Sequence, residues 1–111
     1  RRVSFDASDV LSFDGIMLPL DFALGQNYPN PFNPTTKIQY ALAKDEFVNI
    51  SIYDLMGRNI KSLINVKQVA GFYEINWNAT NHNGELVPAG MYFYVINAGA
   101  FKSMKKMVLL K

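Results

Sequence analysis

Apolar and polar residues alternate along much of this chain with a period of two, the spacing that puts every second side chain on one face of a β-strand. Ile38, Tyr40 and Leu42 alternate with Gln39 and Ala41, and Val48, Ile50 and Ile52 alternate with Asn49 and Ser51. With Lys44-Asp45-Glu46 as a polar turn between them, these two runs are expected to pair as a hairpin. The second run leads into Tyr53-Asp54-Leu55-Met56-Gly57-Arg58. There Gly57 can take the positive φ of a tight reversal, Asp54 suits an Asx-type turn, and residues 58–64 form the returning strand.

Further along, Tyr73, Ile75 and Trp77 share one strand face while Phe72, Glu74 and Asn76 share the other. Residues 78–90 form a loop dense in Asn, Gly and Pro, and residues 91–97 are apolar on both faces, as a central strand is. Gly99 turns the chain into a last strand over 102–110, where lysines are mixed with Met104, Met107, Val108, Leu109 and Leu110. That mixture suits an edge strand whose charges discourage pairing with other chains. No window of a dozen residues keeps helical spacing. Short strands with turns at close intervals predict an all-β fold, an immunoglobulin-like antiparallel β-sandwich of about six to seven strands.

The start of the chain has a different character. Val3-Ser4-Phe5, Val10-Leu11-Ser12-Phe13 and residues 16–20 fit one or two extra strands, the end of a preceding domain, or a linker. Residues 1–26 are therefore read as a separate N-terminal segment and 27–111 as the sandwich. At the junction, Asn27-Tyr28-Pro29-Asn30-Pro31-Phe32-Asn33-Pro34-Thr35-Thr36 is rich in proline, which fixes φ and restricts the preceding residue. A stiff, extended lead-in with few ladder hydrogen bonds is expected there.

Composition narrows the chemistry. The 111 residues suffice for one domain, and a hydrophobic fraction of 50% with 18% charged residues supports a packed core. Without cysteine there is no disulfide scaffold, thiolate metal site or cysteine nucleophile, and one histidine leaves no His-rich metal site. The net charge of +2 gives no case for nucleic acid. It is unevenly spread: residues 1–35 carry two arginines against four aspartates, and residues 36–111 nine basic against five acidic side chains. The first residue is Arg1, which reads as a fragment or processed product, and no apolar stretch approaches the roughly 20 residues that span a bilayer.

Five ordered motifs point to a family. Asn27 to Thr36 resembles the opening motif of the type A C-terminal sorting domain of the type IX (Por-type) secretion system. Residues 52–58 resemble its strand-and-turn element and residues 71–77 its Gly-to-Trp strand. Val87-Pro88-Ala89-Gly90-Met91-Tyr92-Phe93-Tyr94 and Lys105-Lys106-Met107-Val108-Leu109-Leu110-Lys111 complete the pattern over residues 19–111. The same residues are similar to the immunoglobulin-like region of flagellar hook-capping proteins.

The resemblance implies a non-enzymatic address on an N-terminal cargo domain, exported through the periplasm to the surface of a Gram-negative cell. It implies as partners an outer-membrane translocon, its shuttle proteins and a sortase-like peptidase. By resemblance, Pro29, Asn30, Pro31, Gly57, Gly90, Lys105, Lys106 and Lys111 are the recognition residues. One departure is Asn78 to Gly84, where many relatives carry acids, so a metal role for that loop is not carried over.

The residues themselves supply no catalytic constellation and call for no cofactor or metal. Trp77 at an alternating strand position reads as core, with Ile38, Tyr40, Ile50, Ile52, Tyr92 and Tyr94, the last two with hydroxyls tied to backbone at a sheet edge. His82, among Asn81, Asn83 and Gly84, reads as an exposed turn residue. Two further readings stay open. One is a structural module making homotypic or scaffold contacts, with residues 3–24 adding as a donor strand to a neighbour's edge. The other is a carbohydrate-binding module using Trp77 and the Tyr-rich strand.

Overall fold

The computed structural model describes residues 10–13 and 16–110, and those residues contain β-strands and no helix. In chain order the strands are β1 (Val10–Phe13), β2 (Ile16–Pro19), β3 (Ala23–Leu24), β4 (Thr36–Leu42), β5 (Glu46–Tyr53), β6 (Asn59–Gln68), β7 (Gly71–Trp77), β8 (Gly90–Ala98) and β9 (Phe101–Leu109). β1 and β2 form a hairpin. The rest make two antiparallel sheets, a three-stranded one in the order β3-β4-β7 and a four-stranded one in the order β6-β5-β8-β9. The fold is thus the all-β sandwich that the alternation predicts, with seven strands in its two layers.

The hairpin expected between residues 38–42 and 48–52 does not form. β4 pairs with β3 and β7 in one layer, and β5 pairs with β6 and β8 in the other. Alternation dictates that each strand has a buried face, and it is silent on the neighbour. Here the two buried faces meet across the core. The crossover is held where Asp45 Oδ1 accepts a hydrogen bond of 2.9 Å from the Ala70 amide. The later pairings follow the sequence pattern: β8 lies between β5 and β9, and β9 is at the edge.

Between the layers, Ile38, Tyr40 and Leu42 of β4 and Trp77 of β7 face Val48, Ile50 and Ile52 of β5, Tyr92, Tyr94 and Ile96 of β8, and Met107 and Leu109 of β9. All are buried. The Trp77 ring lies edge-on to Tyr92, with centroids 5.5 Å apart. On β6 the register slips twice, opposite Ile50/Ser51 and opposite Ile52/Tyr53. Such bulges bend and twist the strand that carries them.

A polar chain of hydrogen bonds runs through this core. The Tyr94 hydroxyl donates to the Gly25 carbonyl at 2.7 Å and accepts from the Asn27 amide at 2.8 Å. Asn27, itself buried, donates through Nδ2 to Thr36 Oγ1 at 3.0 Å, and Thr36 donates to the Pro29 carbonyl at 2.8 Å. Burial pushes the Tyr94 phenol far above its ordinary value, partly opposed by the Asn27 amide, and burial also raises Tyr40 and Tyr92.

Two outcomes follow. Tyr94→Phe leaves a buried carbonyl and amide without their partner, so denaturant unfolding should show a loss of about 1–3 kcal/mol. Because the folded chain holds the phenol protons that the unfolded chain releases, stability should be insensitive to these tyrosines below about pH 10 and fall as the pH rises further. Thermal unfolding across that range checks the sign, and Tyr94→Phe should flatten the fall.

Candidate functional site

The proline-rich stretch is the starting point. Its ends are joined by two backbone hydrogen bonds of 2.9 Å, Tyr28 N to Lys37 O and Lys37 N to Tyr28 O. Residues 27–36 are therefore a closed loop that reverses the chain, which corrects the extended lead-in expected from the proline content. The reversal is held by the Asn27 and Thr36 side chains, and proline rigidity alone does not specify it.

At the centre of the loop Phe32 turns inward, is 1% exposed, and stacks at a tilt against Trp77 with centroids 5.8 Å apart. Its backbone meets the last strand: Phe32 N donates to Val108 O at 3.0 Å and Leu110 N to Phe32 O at 2.8 Å. Asn30 Oδ1 accepts from Val108 N at 3.0 Å, and Gln26 Nε2 donates to Lys106 O at 2.8 Å. The outer edge of β9 over 106–110 is thus capped by the loop. Pro29, Asn30, Pro31 and Lys106 are exposed along this edge and Lys105 is half-buried, while Lys111 lies outside the described residues.

Gly57 and Gly90 sit at the same end of the four-stranded sheet, since Gly90 is opposite Leu109 and Tyr53 is opposite Phe93, itself opposite Lys106. Gly57, at φ +82°, closes a turn that Asp54 organises. Asp54 Oδ1 accepts from Met56 N at 2.9 Å and Arg58 N at 3.0 Å, and Oδ2 accepts from Arg58 Nε at 2.8 Å. These bonds, the Arg58 amide first, hold its carboxyl below the usual carboxylate range. An open hollow of about 410 Å³ separates this turn from the 86–92 segment, with Leu55, Met56, Leu86 and Met91 on its walls. Gly57 and Gly90 contribute backbone conformation and no side chain, both at positive φ.

The loop over 78–90 consumes its own polar groups. Asn81 Oδ1 accepts from Asn83 N at 2.9 Å and Glu85 N at 3.0 Å, and Trp77 Nε1 donates to Thr80 O at 2.9 Å. His82 is exposed, with Nε2 2.6 Å from Asn59 Oδ1. Among the described residues no three His, Asp or Glu side chains converge as a metal site would require. Trp77, Tyr92 and Tyr94 are core, so they offer no sugar-stacking platform. Tyr92 and Tyr94 do bond backbone carbonyls, those of Pro88 and Gly25, from a central strand and not from a sheet edge.

Sequence reasoning missed Asn27, Thr36 and Phe32 as the residues that hold the loop. The available signal was their position: Asn27 and Thr36 bracket the prolines, and Phe32 is the large apolar residue between them.

These features define an immunoglobulin-like β-sandwich module whose exposed motif residues gather on a loop-capped strand edge and at the end beside it. The chain belongs to the family of secretion system C-terminal sorting domains, whose model matches residues 26–110. It is a sorting signal of the type IX system.

Two solved structures from Porphyromonas gingivalis are similar. Dimeric latent PorU matches with a TM-score of 0.62 and 27% identity, over 77% of this chain and 9% of the PorU chain. PorZ, a surface component of the type IX secretion system, matches with a TM-score of 0.52 and 19% identity, over 81% of this chain and 11% of its own, and supports the fold. No curated protein sequence matches the chain.

The cap can be tested alone. Asn30→Ala should speed amide hydrogen exchange at Val108 by about tenfold or more while Leu110, bonded to Phe32, keeps its protection, since only the first amide loses its acceptor.

Proposed function

We propose that this chain acts without catalysis, directing an N-terminally attached cargo across the outer membrane to the cell surface. The capped edge and the turn beside it form the surface that the export machinery reads. The single observation that carries this reading is the convergence of motif residues. Pro29, Asn30 and Pro31 lie about seventy-five positions from Lys105 and Lys106 in sequence, and the two groups are brought side by side by the hydrogen bonds of Asn30 and Phe32 to Val108 and Leu110 and of Gln26 to the Lys106 carbonyl. Lys111 follows that strand in sequence and lies outside the described residues. Gly57 and Gly90 shape the neighbouring turn and strand start. The partners that fit are an outer-membrane translocon, shuttle proteins and a sortase-like peptidase, and residues 1–26 serve as the connection to the cargo. β3, within that segment, docks on β4 and fixes where the connection leaves the sandwich.

Assembly by donated strands has less support. It requires a long flat free edge. β9 is capped over 106–110, β6 carries two bulges, β3 is two residues long, and β2 lies beside β7.

A reporter fused ahead of residue 1 tests the reading in a cell that has the type IX machinery. Removing 105–111 should retain the reporter in the periplasm, but that deletion also removes Met107 and Leu109 from the core. The decisive variant is therefore on the surface. Lys106→Glu, at an exposed side chain, should reduce surface delivery several-fold while unfolding shifts by less than about 1 kcal/mol. Normal delivery by it, with the fold intact, rules out this surface.

A further inference from the structure

The outward face of the four-stranded sheet is divided into two unlike halves. In the middle of β5 and β6 the outward side chains are polar and bond one another, Asn49 Nδ2 to Asn65 Oδ1 at 3.2 Å, Ser51 to Asn49 Oδ1 at 2.9 Å, and Ser51 to Ser62 at 3.1 Å, with Phe47 and Tyr53 at the two ends of β5. On β8 and β9 the outward positions are Met91, Phe93, Val95 and Asn97, and Met104 and Val108, with Lys102 opposite Asn97 and Lys106 opposite Phe93. Met104 is 61% exposed. Here the surface dips into a hollow of about 490 Å³, whose walls include Asn30, Met91, Phe93, Met104, Lys106 and Val108. That volume is within the range of sites that take a compact ligand or a few side chains.

Charge on this face has one sign. The four strands contain a single acid, Glu46, at the inward-facing register of Val48, Ile50 and Ile52. Among the described residues the ion pairs are Lys37 with Glu74 and Arg58 with Asp54, so neither Lys102, Lys105 nor Lys106 has an acidic partner. An apolar floor with a basic rim favours a ligand that brings an apolar side chain and a carboxylate together. Because the β9 backbone beside the hollow is already bonded to the loop, a ligand must engage side chains and has no ladder to extend. A hollow suits an inserted side chain better than the plane of lipid headgroups.

We propose that this hollow binds an acidic segment of a protein of the export machinery, one that places an aromatic or long aliphatic side chain against Phe93 and Met104 and a carboxylate against Lys106. The assignment rests on the sorting-signal reading for its choice of partner.

The test titrates the full 111-residue chain, labelled with ¹⁵N, with the blocked hexapeptide Asp-Phe-Asp-Leu-Asp-Phe. Controls are the same peptide with Lys for Asp, the same peptide with Ser for Phe and Leu, and phosphatidylcholine vesicles with and without phosphatidylglycerol. Expected are shift changes confined to the neighbourhood of Phe93, Met104, Lys106 and Val108, an affinity that falls about tenfold with Lys106→Glu, and weakening as salt is raised. Equal binding of either control peptide, shifts elsewhere, binding to anionic vesicles without the peptide, or dimerisation through this face overturns the proposal. Surface delivery of the fused reporter separates the two levels. If delivery needs residues 26–110 and the peptide does not bind, the hollow fails alone; if delivery survives their removal, the sorting reading fails.

Discussion

The Tyr94 hydroxyl, buried between two sheets of apolar side chains, must find hydrogen-bond partners, and it finds them on the chain that leads into the sandwich. A buried polar group without partners costs more than its bonds return in water, so the arrangement is close to all-or-none. By donating to Gly25 and accepting from Asn27, Tyr94 of the four-stranded sheet fixes the segment just after β3. Asn27 then passes the constraint to Thr36, the first residue of β4. One polar chain therefore ties both sheets to the two ends of the proline loop.

What lies between those ends is positioned as a consequence. With the loop closed at Tyr28 and Lys37, Phe32 is brought over Trp77, and its burial supplies an apolar anchor worth about 1.5–3 kcal/mol on area grounds. Anchored there, the loop presents Asn30 and the Phe32 backbone to Val108 and Leu110 in the geometry of a short extra strand. The capped edge is thus a product of core packing. It also solves a problem common to sandwiches, that of free edges inviting other chains, which β6 meets differently, with two bulges and the lysines 61 and 67.

The strands were legible because a period of two survives every detail of context. β7, β8 and β9 could be placed by face, and β8 and β9 also as central and edge strands, from their apolar content. The pairing of β4 with β5 was not legible, because alternation encodes a buried face and says nothing of whether the next strand lies beside it or across from it. β3 escaped notice for a different reason: Ala23 and Leu24 are too few to show any period, and their place depends on β4. At the site, the motif residues could be read one by one. Their convergence could not, since it depends on Asn27, Thr36 and Phe32, whose roles exist only once Tyr94 and Trp77 are in place.

The lysines of β9 show how the fold changes the meaning of a sequence feature. From composition alone they serve as charges that keep an exposed edge from pairing. Lys102 keeps that role, because among the described residues no loop hydrogen bond caps the backbone at 102–105. Lys106 does not need it: its own carbonyl is bonded by Gln26, and the next amides and carbonyls outward are bonded by Asn30 and Phe32. Among the described residues, this positive charge, retained where the edge is already closed and beside Phe93 and Met104, makes no ion pair. It offers long-range attraction to an oppositely charged partner at little cost to the fold, which supports the proposal that recognition falls on the capped stretch of β9 more than on the uncapped one.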